Sequence, residues 1–398
     1  MLDSDFHCIR FPGLKGQIYD GDGQLRDAAV TDDMKTGQAN ATIVIEPSSV
    51  SSSRSPLWIV TQEPLLNELV SYLEAIKEMF QSNPGVTCEL TFSMSHIREC
   101  RTAFDRMIRR GEENLHRLCE LCCHSLLGPY DLESFVVGEV PGSRERFSLT
   151  QKIHRDDLYS TSDLDLGTRQ LQKLRYLQNE QWIAPTLVAN MVEYQPTEPN
   201  AYSIYKMISR IKAEEELWNK VVDEIFNLDA LVKRDKEIRH LSRYVKDVFG
   251  IKLVVGSPQE MRKVQHALQT VRWTAEDLRR VGAYADDKSA EKLRYLEVKD
   301  YSVDHGKESG WMAIKSVVMW RGGVFEIQIQ PLLNFWKERE FLMRESHAGF
   351  KAQREQVREH VAKQIPLFGF YNRLLKWMFQ DINGAVPSFP GISVTCVE

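Results

Sequence analysis

Apolar and polar residues alternate strictly along Arg321–Pro331 (RGGVFEIQIQP), with Phe325, Ile327 and Ile329 on one side and Glu326, Gln328 and Gln330 on the other. The pattern predicts a strand whose polar stripe is headed by a carboxylate. Trp311–Trp320 (WMAIKSVVMW) reads as a second strand, and the Gly322-Gly323 pair reads as a tight hairpin turn between them. Phe249–Val255 (FGIKLVV) is apolar, β-branched and too short for a helix, and Leu293–Tyr301 supplies a further strand. Helices are expected at Pro258–Val271, with proline at its start, and at Leu332–Glu345, Phe350–Lys363 and Phe368–Phe379. The C-terminal half is thus a small sheet flanked by helices.

Upstream the period changes to that of a helix. Leu65, Leu66, Leu69, Val70, Leu73, Ile76, Met79 and Phe80 share one face, and Ser95–Leu127 repeats the pattern up to Gly128-Pro129. Residues 130–165 carry many turn residues and aspartates and read as irregular, while Arg169–Gln178 and Tyr205–Phe226 read as helical. Residues 1–57 end in SSVSSSRSP and read as a flexible segment, with a short strand at Ala41–Ile45. The expected organisation is a flexible segment over 1–57, a mostly helical domain over 58–200, a mixed α+β domain over 201–365, and a C-terminal helix and tail over 366–398.

Composition narrows the classes. The 398 residues are 42% hydrophobic and 27% charged, which suits about two globular domains. A net charge of −5 gives no general attraction to nucleic acid or anionic membrane, although a local basic groove is compatible with it. No apolar run approaches the roughly 20 residues of a membrane span, and the N-terminus lacks the pattern of a secretory signal. The seven cysteines are irregularly spaced and suggest no disulfide framework. Cys119, Cys122 and Cys123, beside His116 and His124, are zinc-type residues, but they follow a helical apolar pattern and read as core thiols. The expectation is a cytoplasmic protein.

Four features along the C-terminal half carry chemistry. Arg210, Lys212 and Lys220 place three cations in one stretch, Asp247 precedes FGIKLVV, Lys299-Asp300-Tyr301 leads to Lys307, Gly310 and Trp311, and Glu326 heads the polar stripe. Two carboxylates suit Mg²⁺, which takes one or two of them together with phosphate oxygens. The cations suit a polyphosphate, and an aromatic beside glycine offers a stacking surface for a base. Each residue also has a bland reading. Glu326 would be a solvated strand residue, Asp247 a helix-end residue, the cations a solvated face beside Glu214, Glu215 and Glu216, Trp311 a core aromatic, and His347 a local cap. Trp336 and Trp377 read as core.

The ordered set SRIK…K, D-x-x-G-I-K, KDY…K-x-x-G-W, FEIQIQ and H-x-x-F-K resembles the synthetase domain of RelA/SpoT-type alarmone synthetases, over roughly Ile208 to Lys351. The resemblance implies a nucleotidyltransferase-like fold and transfer of pyrophosphate from ATP to the 3′-hydroxyl of a guanine nucleotide. It implies that Arg210, Lys212, Lys220 and Lys252 serve ATP, and that Asp247 and Glu326 share Mg²⁺, with Glu326 activating the attacking hydroxyl. It also implies that Lys307, Trp311, Lys315 and His347 serve the acceptor side, Trp311 standing where a tyrosine stacks on guanine. The departures concentrate on that side: the G-Y-x-S-L-H motif appears as Gly310-Trp311-Met312-Ala313-Ile314-Lys315, and EIQIR as Glu326–Gln330 (EIQIQ). Lys252 replaces an arginine and loses its bidentate fork. An adenine nucleotide or a tRNA 3′ end is therefore an alternative acceptor, and a degenerate nucleotide- or protein-binding module is the alternative of another class. The N-terminal helices suit a homo-oligomer or a regulatory partner. The histidine-aspartate hydrolase signature of long family members is matched only superficially, at His154.

Overall fold

The computed structural model describes residues 60, 62–82, 88–140, 146–178, 180–211, 214–226, 248–284, 287–301, 312–344 and 358–397. The strands in chain order are β1 Cys88–Ser93, β2 Tyr130–Glu139, β3 Arg146–Lys152, β4 Tyr176–Gln178, β5 Gln181–Ile183, β6 Thr186–Pro196, β7 Ile204–Ile211, β8 Phe249–Val255, β9 Arg294–Asp300, β10 Ile314–Trp320, β11 Gly323–Pro331 and β12 Ile392–Val397. The flexible segment over 1–57 and the strand at Ala41–Ile45 lie outside the described residues.

Contacts divide the chain into two units: residues 1–107, 214–242 and 355–398 form one, and residues 108–213 and 243–354 the other. In the first unit β1 and β12 pair in parallel, Cys88 opposite Ile392 and Ser93 opposite Val397. Helices Pro64–Ser82, Glu214–Ile225 and Pro366–Phe379 supply its apolar faces. Trp218 stacks on Phe379 with ring centroids 3.9 Å apart, and the buried Tyr371 hydroxyl donates to the Leu73 carbonyl at 2.6 Å.

The second unit holds an eight-stranded sheet in the order β3-β2-β6-β7-β8-β11-β10-β9. Every neighbouring pair is antiparallel except β8 and β11. A parallel pair requires a crossover, and helix Pro258–Thr270 follows β8 directly. That helix begins at Ser257 with a capping box to Glu260 and carries Pro258 in its first turn. The architecture is the mixed α+β sheet flanked by helices expected from sequence. It is larger than the expected small sheet because β2, β3 and β6 extend it.

Those three strands correct the reading of residues 130–200. Tyr130–Glu139 and Arg146–Lys152, within a stretch that reads as irregular, pair from Glu133 opposite Lys152 to Glu139 opposite Arg146. Val136 and Val137 are both fully buried, so β2 lacks the simple alternation that marks a half-exposed strand. Arg169–Gln178, which reads as one helix, is the end of helix Asp163–Leu171 followed by β4. Tyr205–Phe226 likewise divides into β7 and helix Glu214–Ile225, so Arg210 sits on a strand.

One face of the main sheet is apolar. Phe325, Ile327 and Ile329 are buried, as the alternation requires. Gly111, inside helix Met94–Cys122, is needed because the Phe249 ring occupies the place a Cβ would take. On the same face Ser316 donates to Gln265 of helix Pro258–Thr270 at 3.1 Å. The β10–β11 turn is Arg321-Gly322, both at positive φ (48° and 72°), with Trp320 opposite Gly323. The turn therefore lies one residue earlier than the Gly322-Gly323 pair suggests. Arg321 is held in this conformation by side-chain bonds to Asp287 at 3.3 Å and Asn114 at 3.2 Å. Trp377 is buried as expected, but Trp336 is 53% exposed: on helix Leu332–Arg344 its neighbour Phe335 takes the buried position. Cys100, Cys119, Cys122 and Cys123 are buried free thiols, in keeping with the core reading. Among the described residues no helix is long and apolar enough to cross a membrane.

Candidate active site on the polar face of the sheet

Residues opposite one another across a sheet share a face, so register decides which charges meet. Gly250 on β8 lies opposite Arg210 on β7 and Glu326 on β11. Having no side chain, it sets nothing between those two at that row. Two residues along, Lys252 lies opposite Ile208 on one side and Gln328 on the other, and Gln328 lies opposite Lys315 on β10. Lys315 in turn lies opposite Lys299 on β9. Four residues expected from sequence, Arg210, Lys252, Lys315 and Glu326, are thereby gathered on one face of four adjacent strands. The strict period of β11 aims Glu326 to this side while its apolar neighbours fill the core.

The cations are held by carboxylates. Lys315 Nζ donates to Glu326 Oε1 at 3.2 Å, and Lys252 Nζ donates to Glu338 Oε2 at 2.5 Å. Gln328 donates to Gln330 at 2.6 Å, and Gln330 Nε2 donates to the same Glu338 oxygen as Lys252 at 3.2 Å. Further across, Lys206 and Arg339 both donate to Glu193, at 2.5 and 2.8 Å. Burial pushes Lys252 below the ordinary lysine value; Glu338 opposes that shift, while the positive charges of Arg210 and Lys315 add to it. Lys299 is raised, first by its hydrogen bond with Glu297. The face is thus a set of cations under mutual repulsion, neutralised by protein carboxylates, and a phosphate group would find donors already assembled.

Sequence reasoning misses Glu338, Glu193, Lys206 and Arg339. Lys206 does leave a signal, since Lys206, Ile208 and Arg210 alternate as strand neighbours once β7 is not taken as a helix. Glu338 and Arg339 sit on helix Leu332–Arg344, which reaches the sheet through Phe335 packed with Ile208 and Val254; their relation to β6 and β8 is not visible in local spacing. Of the remaining expected site residues, Lys220 is buried on helix Glu214–Ile225 of the other unit. It is not among the cations that the sheet register gathers. Asp247, Lys212, Lys307, Trp311 and His347 lie outside the described residues. Glu326 offers the hard carboxylate oxygen that Mg²⁺ takes.

Neither a family model nor a curated protein matches this sequence. Solved structures do overlap with it. Small alarmone synthetase 1 from Bacillus subtilis is 18% identical, with 46% of this chain and 78% of that one covered at a TM-score of 0.22. The same enzyme bound to its product pppGpp gives 16% identity, 46% and 81% coverage, and a TM-score of 0.21. The protein smu.1046c from Streptococcus mutans UA159 gives 19%, 45% and 80%, and 0.21.

Proposed function

We propose that this chain is a nucleotide pyrophosphokinase that moves pyrophosphate from ATP to the 3′-hydroxyl of a guanine nucleotide. The observation that carries the reading is the cross-strand row Arg210–Gly250–Glu326 with Lys252 and Lys315 one row away. The order of motifs that resembles RelA/SpoT-type synthetases supports it independently. In this reading Arg210 and Lys252 hold the ATP phosphates, together with Lys212 of the same motif as Arg210. Phosphate oxygens replace Glu338 as the partner of Lys252. Lys315 moves from Glu326 to an acceptor phosphate, which leaves Glu326 to accept the proton of the attacking hydroxyl. The hydroxyl oxygen bonds to the β-phosphorus as the bond to the α-phosphate oxygen breaks and AMP leaves. Asp247 and Glu326 would hold Mg²⁺, which when bound supplies charge neutralisation on the phosphate oxygens. Lys307, Trp311 and His347 complete the acceptor side.

A second reading has a specific observation in its favour. Lys252 and Lys315 are both neutralised by protein carboxylates, as they would be in a binding module of this fold that no longer transfers. The deciding experiment incubates the purified chain with γ-labelled ATP, Mg²⁺ and, separately, GDP, GTP, ADP, ATP and tRNA. Label on GDP or GTP supports the proposal. Label on an adenine nucleotide or tRNA moves the acceptor. ATP binding without label transfer to any of them overturns catalysis and leaves the binding module.

A further inference from the structure

The same unit contains a second, enclosed group of ionisable side chains. Glu112 and His116 are one helical turn apart on helix Met94–Cys122 and so share a face. Asp163 is the first residue of helix Asp163–Leu171. Donor atoms of the three all lie within 4.8 Å of one another, and the residues are 1%, 0% and 2% exposed. His116 Nε2 is 3.1 Å from Asp163 Oδ1, and its Nδ1 is 3.1 Å from the Tyr194 hydroxyl. Glu112 Oε1 accepts from the Asp163 backbone N–H at 2.6 Å, and its Oε2 accepts from Arg109 at 2.8 Å. Asn190 donates to the Asp163 carbonyl. Asp163 Oδ2 is buried and has no hydrogen-bond partner among the described residues.

That oxygen separates two accounts of the cluster. A proton on His116 would balance Asp163, as Arg109 balances Glu112, but it would leave Oδ2 buried and unsatisfied, which is costly. A bound cation would use it. We propose that Glu112, His116 and Asp163 bind one divalent transition-metal ion of the zinc or manganese class, tying helix Asp163–Leu171 to the 108–122 part of the long helix. Metal bonds of about 2.0–2.2 Å put neighbouring donor atoms about 2.8–3.6 Å apart, from octahedral to tetrahedral angles. The 3.1 Å between His116 Nε2 and Asp163 Oδ1 falls in that range, with Asp163 Oδ2 as the second oxygen of a two-oxygen carboxylate ligand. One imidazole with two carboxylates disfavours Mg²⁺ and Ca²⁺, which take oxygen ligands. Metal on Nε2 leaves the Nδ1 proton to donate to Tyr194, the outer contact that orients a ligating imidazole. With both Asp163 oxygens engaged the three residues offer four donor atoms, and complete burial leaves no exposed position, so the ion's role is structural.

The test is elemental analysis of the whole chain purified without chelator, together with melting curves before and after EDTA treatment and re-addition of Zn²⁺ or Mn²⁺. The expected results are about one equivalent of metal per chain, a lower melting temperature after chelation and recovery on re-addition. Asp163→Asn should lose the metal, whereas Glu326→Gln should keep it, which locates the ion. X-ray absorption on the wild-type metal protein needs no variant to fold, and should show nitrogen and oxygen neighbours with no sulfur. The proposal is overturned by protein that carries no metal and whose melting is indifferent to EDTA and to added ion. Metal retained by Asp163→Asn, or sulfur in the absorption spectrum, overturns it as well.

Discussion

Two charged clusters in one structural unit differ in how far their partners are committed. On the polar face of the sheet, Lys315 and Glu326 have side chains 25% and 12% exposed, and Lys252 and Glu338 23% and 33%. In the enclosed cluster, the His116 and Asp163 side chains are 0% and 3% exposed. Water still reaches the first set in part, so these pairs can be exchanged for a ligand at less cost than fully enclosed ones. The second set has no such exchange: removing one member strands another in a medium that cannot solvate it. Similar residue types are therefore committed to their partners to different degrees, and burial decides how far. The comparison predicts that substitutions on the sheet face alter turnover with little effect on folding, and substitutions in the enclosed cluster do the reverse.

The sharpest way to break it is Glu326→Gln. The variant keeps size and hydrogen-bonding shape and loses the charge and the proton acceptor. Label transfer should fall by about 10²–10⁴, the range of a positioned acid-base group, while the melting temperature stays near wild type. Unchanged turnover would remove Glu326 from the chemistry. The mirror experiment is His116→Ala, which should cost about 3–5 kcal/mol of stability in chemical denaturation, the usual result of breaking a buried pair from one side. Transfer per folded molecule should change little. If His116→Ala instead abolished transfer in a folded protein, the two clusters would not be functionally separate.

The sequence makes one cluster legible and hides the other. Glu326 is readable because β11 alternates without a fault, and because FGIKLVV is too short for anything except the neighbouring strand. Lys315 follows from the same hairpin. The turn is displaced by one residue from the Gly322-Gly323 pair because Arg321 occupies a positive-φ position that usually goes to glycine or asparagine, and its side-chain bonds to Asp287 and Asn114 supply the compensation. β2 and β3 escape because β2 is buried on both faces at its centre and carries no period. The Glu112–His116–Asp163 group escapes for another reason. Two of its members are visible as an i, i+4 pair, but the third is 47 residues from His116 in the chain and nothing local announces it.

A smaller effect sharpens the reading of the acceptor side. Lys315→Ala should weaken acceptor use by about 1.5–3 kcal/mol at low salt, the worth of a hydrogen bond to a charged group. The difference from wild type should shrink as ionic strength rises, because the side chain is partly exposed and its contact is screened. Steady-state acceptor kinetics at two salt concentrations check this. A loss confined to ATP affinity would assign Lys315 to the donor.

The smallest predicted effect has the most informative sign. In the proposed function Glu338 would compete with phosphate for Lys252, with which it pairs, and it also opposes the burial that lowers the Lys252 pKa. Glu338→Gln therefore has two consequences that pull apart with pH. On the acid side of its lowered pKa, Lys252 carries its charge and has lost a competitor, so the KM for ATP should fall by about 1.4–5-fold, equivalent to the 0.2–1 kcal/mol of a partly exposed pair. As the pH rises, Lys252 in the variant loses its proton earlier than in wild type, because the Glu338 charge that favours the proton is gone while Arg210 and Lys315 still oppose it. The advantage should vanish and then reverse, and the two KM profiles should cross on the alkaline side. Lys252→Arg combined with Glu338→Gln should abolish the crossing, since guanidinium does not titrate in that range. Parallel profiles with no crossing would mean that Lys252 does not touch the ATP phosphates and that its pair with Glu338 only holds helix Leu332–Arg344 to the sheet.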